Sequence, residues 1–349
     1  MRYYCFDIDD NLLFMPTIIH MERYIGDEWV PIDVSTSEFG DVRAEEDYRL
    51  LNNNADEAYC EFGDDGPRGP NAFMDDMKFA IDNKLFGPSW KTFIKCLSEG
   101  NIFALITARG NKSSTLRHAV EWIIDNFLDD EERHFLYWHC LKFKYLFRED
   151  YSEYERIPTG KFSENRLIQE YLNLCDFYPI TSKECIDKFK LNVNTRRYVE
   201  IGKERAIRKF AEKIDIYGKK INAKVILGFS DDDVKNIRHI ERLFRDELSL
   251  KYYINYFIFN TANRSMRVTR VSAKKPIKET TQSTGLESSV MRFSQFGNMT
   301  GQYYPKGPIN RMDDYQNQFT RQSEYLAKTS KEIEGPRKKK RRRKKKKSI

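Results

Sequence analysis

Short apolar runs alternate with helical patterns along the first 260 residues, and this alternation limits the folds that the chain can adopt. Runs of six or seven residues, rich in β-branched and aromatic side chains, predict buried strands at Tyr3–Ile8, Ile102–Thr107, His134–Cys140, Lys224–Phe229 and Tyr253–Phe259. Helical spacing predicts helices at Pro88–Ser98, from a cap at Ser113 or Ser114 to Phe127, at Lys203–Ile214 and at Asp233–Leu248. We therefore predict an α/β fold, with a Rossmann-like parallel sheet and helices on both faces.

Two long stretches interrupt this alternation. Residues 15–85 are rich in acidic residues, Asn, Gly and Pro, and residues 141–200 are rich in Tyr, Lys and Glu. Structureless loops of that length are uncommon in compact domains, so we predict a first, lid-like cap insertion and a second, mainly helical insertion. The predicted core then comprises residues 1–14, 86–140 and 201–262.

The basic character of the chain is concentrated at its end. Arg337–Lys347 is an unbroken run of eleven Lys and Arg residues, without which the net charge changes from +7 to −4, from 49 basic and 53 acidic residues. The composition of residues 272–349 predicts a disordered tail. The run itself fits a nuclear-import address, an electrostatic arm for nucleic acid, or a solubilising end. The body of the chain is not predicted to carry a basic groove.

Several features indicate a compartment. The sequence contains no run of about 18 apolar residues, which predicts that no helix spans a membrane and that the protein has no membrane partner. The first residues become acidic before an apolar stretch develops, which argues against a signal peptide. The six cysteines are scattered and contain no Cys-x-x-Cys pair, so we expect reduced thiols. These features predict a cytoplasmic protein, or a nuclear one if the cell has a nucleus.

Polar side chains with matching chemistry follow three of the predicted strands. Asp7 and Asp9 end the first strand, Thr107 ends the second and precedes Arg109, and an aspartate triplet, 231–233, follows the fourth. The carboxyl ends of parallel strands meet at one edge of a sheet, where ligands bind. Neighbouring carboxylates repel each other unless a cation joins them, and oxygen ligands suit Mg²⁺. The alternative for the first motif is a plain acidic turn.

In order and spacing, these segments resemble the motifs of the haloacid dehalogenase-like (HAD) superfamily of phosphohydrolases. The matching segments are Phe6–Leu12, Leu105–Gly110, Gly202–Ile207 and Val225–Asp232. The resemblance covers about residues 1–260, and the two insertions fall where that family carries its caps.

The resemblance implies a reaction through an aspartyl-phosphate intermediate. Asp7 would attack phosphorus, and Asp9 would protonate the leaving group and then activate water. Thr107 and Lys203 would hold the phosphoryl oxygens. The implied cofactor is Mg²⁺, held by Asp7, the backbone carbonyl of Asp9, Asp231 and Asp232.

The sequence leaves several assignments open. Asp10 and Asn11 stand where the family usually has Gly-Thr, although Asn11 can form a comparable bond from its side chain to the backbone. The acid pair of the fourth motif can also be 232 and 233. Arg109 can contact phosphate or pair with an acid. The rivals to Lys203 for the phosphate-binding lysine are Lys188, Lys190 and Lys209.

The function implied by the resemblance is Mg²⁺-dependent hydrolysis of phosphoric monoesters, with nucleotides and nucleic-acid ends among the candidate substrates. The alternative is a slow or inactive HAD-like protein that binds a phosphorylated or polyanionic partner. The presence of both Asp7 and Asp9 favours catalysis. The implied partners are therefore a phosphorylated substrate and, through the basic tail, nucleic acid.

Overall fold

The computed structural model describes residues 1–147, 161–195, 197–220, 222–262 and 267–274. Apart from residues 272–274, the predicted tail and its basic run lie outside these ranges. Part of the predicted second insertion, residues 148–160, lies outside them too. Within the described residues, no helix is long and apolar enough to cross a membrane.

The described strands form two sheets. In chain order the strands are β1 (Arg2–Phe6), β2 (Ile18–Ile25), β3 (Glu28–Ser35), β4 (Tyr48–Leu50), β5 (Phe103–Thr107), β6 (Asp176–Pro179), β7 (Val225–Asp231), β8 (Ile254–Asn260) and β9 (Arg267–Val271). The larger sheet has the order β6-β5-β1-β7-β8-β9, with only β9 antiparallel to its neighbour. The smaller sheet is antiparallel, in the order β3-β2-β4.

Helices connect most of these strands. They are α1 (Thr36–Val42), α2 (Ala55–Ala58), α3 (Ala72–Asp82), α4 (Trp90–Ser98), α5 (Ser113–Asn126), α6 (Asp130–Phe147), α7 (Lys161–Leu174), α8 (Lys183–Phe189), α9 (Tyr198–Lys220), α10 (Val234–Leu243) and α11 (Ser249–Lys251). Short 3₁₀ turns occur at Leu51–Asn53 and Cys60–Phe62, and a π-helical turn at Phe244–Leu248 joins α10 to α11. The structure thus confirms the predicted α/β fold.

Aromatic contacts from β1 show that helices cover both faces of the larger sheet. Alternate residues of a strand point to opposite faces. Tyr3 meets Phe210 of α9, with ring centroids 6.4 Å apart, whereas Phe6 meets Phe93 of α4 on the other face at 5.4 Å. These four rings are almost completely buried, so the core of the domain consists of two layers that enclose β1.

The segment 15–85 forms the smaller sheet and has its own small core. Ile19, Met21 and Val34 are buried there, and partly buried aromatic residues of the same segment, including Phe62, pack against them. This arrangement follows from the alternation of β2, whose even and odd positions face opposite sides. We call this segment the 15–85 unit.

Four of the five predicted strands are confirmed, with boundaries shifted by one or two residues. The prediction of a strand at His134–Cys140 is wrong, because this run lies inside α6. Leu136 and Cys140 are buried four residues apart, while Phe135 and Trp138 are exposed, which is a helical and not an alternating pattern. The high aromatic content of the run resembles that of a strand and hides this period.

The second predicted insertion is not wholly outside the core. Its residues 176–179 form β6, which pairs with β5 at the edge of the larger sheet. This edge strand is short and contains polar residues, so it has no apolar run from which a strand could be predicted. The described part of 141–200 is otherwise helical, and α9 begins at Tyr198, five residues before the predicted start at Lys203.

A residue of the 15–85 unit accepts hydrogen bonds from groups at the N-terminus of α5. The predicted cap at Ser113 or Ser114 is therefore wrong. The cap position is Lys112, whose side chain makes no capping hydrogen bond. Instead, buried Asp64 accepts hydrogen bonds from the Lys112 backbone N–H at 2.7 Å and from the Thr115 hydroxyl at 2.8 Å. A distant carboxylate therefore stabilises the positive end of this helix. The six cysteines form no disulfide with one another, and all but Cys60 are buried.

Candidate active site at the carboxyl edge of the larger sheet

Three neighbouring strands bring the predicted site residues to one edge. Asp7 follows β1, Thr107 is the last residue of β5, and Asp231 is the last residue of β7. Strands β5, β1 and β7 are adjacent and parallel, so their carboxyl ends lie side by side. All three residues are buried, and Thr107 and Asp231 have no exposed surface.

Lys203 lies between two of these carboxylates. Its ammonium nitrogen Nζ donates to Oδ2 of Asp7 at 2.8 Å and to Oδ2 of Asp231 at 3.0 Å. The lysine side chain is only 4% exposed, and α9 carries it to the sheet edge on the face that packs against β5 and β7. Burial opposes the charge, but Asp231 and Asp7 together raise the pKa of Lys203 well above its usual range. The lysine is therefore a fixed cation in the site.

The rival lysines do not reach this edge. Lys188, Lys190 and Lys209 are exposed and line a separate pocket on α8 and α9. Lys203 is thus the lysine that the structure brings to the aspartates.

Asp7 retains one carboxylate oxygen without a partner. Its Oδ1 is buried and has no hydrogen bond among the described residues, whereas Oδ2 accepts from Lys203. Burial raises the pKa of Asp7 to about 7; Lys203 opposes this shift and Asp231 adds to it. A buried carboxylate oxygen left unpaired is costly, so a cation or a substrate that bound it would remove that cost.

Asp232 completes a group of three carboxylates. One oxygen from each of Asp7, Asp231 and Asp232 lies within 4.8 Å of the others. Burial, followed by repulsion from Asp231 and Asp7, raises the pKa of Asp232 to about 9. Three carboxylates so close together, with one oxygen unpaired, fit a hard divalent cation such as Mg²⁺, which favours oxygen ligands.

Asp233 has a different place from its two neighbours. Its side chain caps α10 by accepting from the Lys235 backbone N–H at 2.7 Å, and it pairs with Arg43 of the 15–85 unit at 3.0 Å. Aspartate is among the residues that cap helices best. The backbone N–H of Asp233 also donates to Oδ1 of Asp231 at 2.8 Å, which orients that carboxylate. The structure thus groups residues 231 and 232, not 232 and 233, with Asp7.

The loop after β1 explains the two unusual residues in the first motif. Asp10 has φ +55°, in the left-handed region that glycine adopts freely and that Asp and Asn adopt more readily than other residues. Asn11 is fully buried and its side-chain amide donates to the Asp7 carbonyl at 2.8 Å and to the Ser230 hydroxyl at 3.0 Å. Thr261 donates to its amide oxygen at 2.9 Å. The predicted bond from the Asn11 side chain to the backbone is therefore confirmed.

Arg109 pairs with Asp9 instead of lying free for a ligand. Its Nε and Nη2 donate to Oδ2 and Oδ1 of Asp9 at 2.9 and 2.7 Å, a bidentate ion pair. The Arg109 side chain is 1% exposed and that of Asp9 is 17% exposed. The alternative that the sequence left open for Arg109, a pairing with a nearby acid, is the arrangement found here.

The 15–85 unit encloses the Arg109 guanidinium. The rings of Phe62 and Phe73 lie 4.7 and 5.2 Å from its central carbon, and Nη2 donates to the buried Thr17 hydroxyl at 2.8 Å. The Gly110 backbone N–H donates to the Phe62 carbonyl at 2.9 Å. Guanidinium groups stack favourably on aromatic faces when desolvated. The second motif and the 15–85 unit are therefore joined at the site, a contact that the sequence did not predict.

Within the described residues, neither the Thr107 nor the Asp9 side chain forms a hydrogen bond with Asp7, Asp231 or Asp232. The Thr107 hydroxyl accepts from the Arg109 backbone N–H at 3.3 Å. The Asp9 side chain points to Arg109 and is not part of the group formed by Asp7, Asp231 and Asp232. Their predicted roles, phosphate contact for Thr107 and proton transfer for Asp9, stay predictions.

Comparisons with family models, with curated proteins and with solved structures find no match for this chain. The resemblance to the HAD-like superfamily rests on the four motif segments of the sequence.

Proposed function

We propose that the protein is a Mg²⁺-dependent phosphatase that hydrolyses phosphoric monoesters with Asp7 as the nucleophile. One observation carries the proposal: Asp7 presents an unpaired oxygen at a strand end, beside a buried lysine and two further carboxylates. A carboxylate attacks an anionic phosphate only where cations reduce the repulsion between them. Lys203 supplies one such cation within 3.0 Å of both Asp7 and Asp231.

Mg²⁺ would be held by Asp7, Asp231 and Asp232, together with the backbone carbonyl of Asp9. When bound, the ion would neutralise charge on the phosphoryl oxygens and on the clustered carboxylates. The chain itself fixes these ligands: Asn236 and the Asp233 backbone N–H hold Asp231, and the Asn11 amide holds the backbone at Asp7.

The proposed reaction has two displacements at phosphorus. An oxygen of Asp7 bonds to phosphorus while the ester bond breaks, and the departing oxygen takes a proton from Asp9. Water then attacks the phosphorus of the aspartyl-phosphate and gives a proton back to Asp9, which releases inorganic phosphate and restores the Asp7 carboxylate. Lys203 and Thr107 would hold the phosphoryl oxygens during both steps.

The pairing of Asp9 with Arg109 favours a second candidate function. Both carboxylate oxygens of Asp9 accept hydrogen bonds from the guanidinium, which holds the carboxylate toward Arg109 and not toward Asp7. If the pair persists when substrate binds, the protein would bind a phosphorylated partner and turn it over slowly or not at all. Catalysis requires that an oxygen of Asp9 also reaches the leaving group of the substrate.

Release of phosphate from a generic aryl phosphate separates the two candidates. The phosphatase proposal predicts Mg²⁺-dependent release that a chelator abolishes, and a panel of nucleotides, sugar phosphates and 3′-phosphorylated oligonucleotides would then rank the substrates. The second measurement is the equilibrium binding of the same compounds, determined by calorimetry. Tight Mg²⁺-dependent binding without phosphate release would favour the binding protein over the phosphatase.

A further inference from the structure

A basic pocket of about 440 Å³ lies between α8, α9 and α11, apart from the carboxylate site. Its cationic side chains come from three segments of the chain: Lys188, Lys190, Arg205, Arg208, Lys209 and Lys251. One carboxylate, that of Glu212, accompanies these six cations. The mildly acidic composition of residues 1–336 conceals this local excess of positive charge.

Most of these cations have no acidic partner. Arg208 pairs with Glu204 and Glu247, both at 2.7 Å, but Arg205 donates to the backbone carbonyls of Phe189 and Lys190. The remaining four pocket lysines form no ion pair among the described residues. The pocket therefore keeps an excess of positive charge even when all three neighbouring carboxylates are counted.

The pocket and the carboxylate site lie on opposite faces of α9. Lys203, Ile207 and Phe210 face the sheet and are buried. Arg205 and Lys209, one helical turn apart, face away from it and are exposed. The two sites thus share a helix without sharing residues, and a ligand in the pocket does not depend on the proposed chemistry at Asp7.

The lining of the pocket indicates what kind of anion fits. Six cations exceed what one phosphate group, with about two negative charges, requires. Phe189, Leu248 and Tyr252 also line the pocket, but they are at most 8% exposed and offer no open ring for base stacking. A ligand with several phosphates separated by uncharged groups matches this lining better than inorganic polyphosphate does.

We propose that this pocket binds a nucleic-acid strand through consecutive phosphates of its sugar–phosphate backbone. The phosphates would lie against the cationic side chains, and the sugars and bases would lie toward the opening of the pocket. Contacts of this kind are independent of sequence and weaken with salt, because each neutralised phosphate releases counterions.

The test compares the full chain with two triple variants. The pocket variant carries Lys188→Gln, Lys209→Gln and Lys251→Gln, none of which breaks an ion pair among the described residues. The control variant removes three other exposed lysines, by Lys84→Gln, Lys91→Gln and Lys95→Gln. Both lose the same charge and keep the basic run at 337–347. The probes are a single-stranded oligonucleotide of mixed sequence and inorganic tripolyphosphate, titrated at several salt concentrations.

We expect the pocket variant to bind the oligonucleotide about tenfold more weakly than the control does, with a salt dependence smaller by about two counterions. A photo-crosslinking oligonucleotide should label α8 or α9 in the control variant and lose that label in the pocket variant. Equal affinities for the two variants, or crosslinks confined to other segments, would overturn the proposal. In a third outcome, the control variant binds tripolyphosphate and the pocket variant does not, while no oligonucleotide binds at the pocket. That result would overturn the choice of nucleic acid as the ligand.

Both variants should release phosphate from an aryl phosphate as the wild type does. Failure of the nucleic-acid proposal therefore leaves the proposed phosphatase untouched, and the reverse also holds. Circular dichroism and thermal unfolding of both variants confirm that any loss of binding does not come from loss of fold.

Discussion

The guanidinium of Arg109 forms a bidentate ion pair with the carboxylate of Asp9, a residue 100 positions earlier in the chain. The pair joins the second motif to the first and lies under the aromatic rings of the 15–85 unit. Since Asp9 is also the proposed proton donor, this contact fixes the acid in the resting protein. Its strength and its exchange by substrate are both open to measurement.

A double-mutant cycle with Arg109→Met and Asp9→Ala measures the strength of this pair. Removing Arg109 alone leaves Asp9 without its partner in a largely buried place, so we expect the free energy of unfolding to fall by about 3 kcal/mol. The double variant should lose less than the sum of the two single variants, which gives a coupling energy of about 1–3 kcal/mol. Urea unfolding of the four proteins provides the values.

The exposed pair between Arg166 and Glu170 is the matched control for this cycle. The Arg166 side chain is 68% exposed, so its coupling to Glu170 should stay below about 0.5 kcal/mol. A coupling between Arg109 and Asp9 no larger than that of the control pair would show that the buried contact contributes no more than a surface ion pair.

Asp9→Asn should slow turnover by about 10²-fold or more, the usual effect of losing a general acid or base. The Asn side chain can still accept one hydrogen bond from Arg109, so the fold should persist. Initial rates with an aryl phosphate, measured with saturating Mg²⁺, test this expectation. A rate close to that of the wild type would remove Asp9 from the proton transfer.

Mg²⁺ should stabilise the folded protein, because the ion would relieve the repulsion among Asp7, Asp231 and Asp232. At a concentration 100 times the Kd, a ligand that binds only the folded state adds about 2.7 kcal/mol. We expect Mg²⁺ to raise the Tm of the wild type and to have little effect on that of Asp231→Asn. Differential scanning calorimetry with and without chelator measures both shifts.

Asp233→Asn is the control for the metal ligands. Asn caps helices as well as Asp does, so the variant should lose mainly its contact with Arg43 and keep the Mg²⁺-induced rise in Tm. If Asp233→Asn alone abolished that rise, the acid pair of the fourth motif would be residues 232 and 233 and not 231 and 232.

Truncation after Lys274 should leave kcat on an aryl phosphate nearly unchanged. The motif residues all precede this position, whereas Ala273 and Lys274 still donate hydrogen bonds to Asn255, Ser249 and Arg245 and should be retained. Loss of Arg337–Lys347 should weaken salt-dependent binding of nucleic acid, because that run holds eleven cations. Nucleic-acid binding of undiminished strength and salt dependence would show that the basic run contributes nothing to it.

Sequence periodicity predicted the central strands and the convergence of their ends. The strands β1, β5, β7 and β8 are buried on both faces and are therefore apolar along their length. A strand of this kind can be predicted from composition alone. The short, mixed edge strand β6 and the aromatic face of α6 lack that signature. Strand β6 depends on its pairing with β5, which is distant in the chain, whereas the aromatic content of α6 hides its helical period.

The site was predictable to the extent that strand ends define it. Asp7, Thr107 and Asp231 follow from strand order. The choice of Lys203 over Lys188, Lys190 and Lys209 rested on the resemblance alone, because the burial that sets Lys203 apart depends on how α9 packs on the sheet. The enclosure of Arg109 by Phe62 and Phe73 depends on how the 15–85 unit packs on the larger sheet. Contacts of that kind between distant segments have no local sequence signal.

The most direct test of the account compares phosphate release by the wild type with that by Asp7→Asn, using an aryl phosphate and saturating Mg²⁺. Asp187→Asn, which changes an exposed carboxylate on α8, serves as the matched control. We predict Mg²⁺-dependent turnover by the wild type and the control, and none by Asp7→Asn, with all three proteins folded by circular dichroism. Turnover by Asp7→Asn within tenfold of the wild type, or no Mg²⁺-dependent release by the wild type, would contradict the assignment of Asp7 as the nucleophile of a phosphatase.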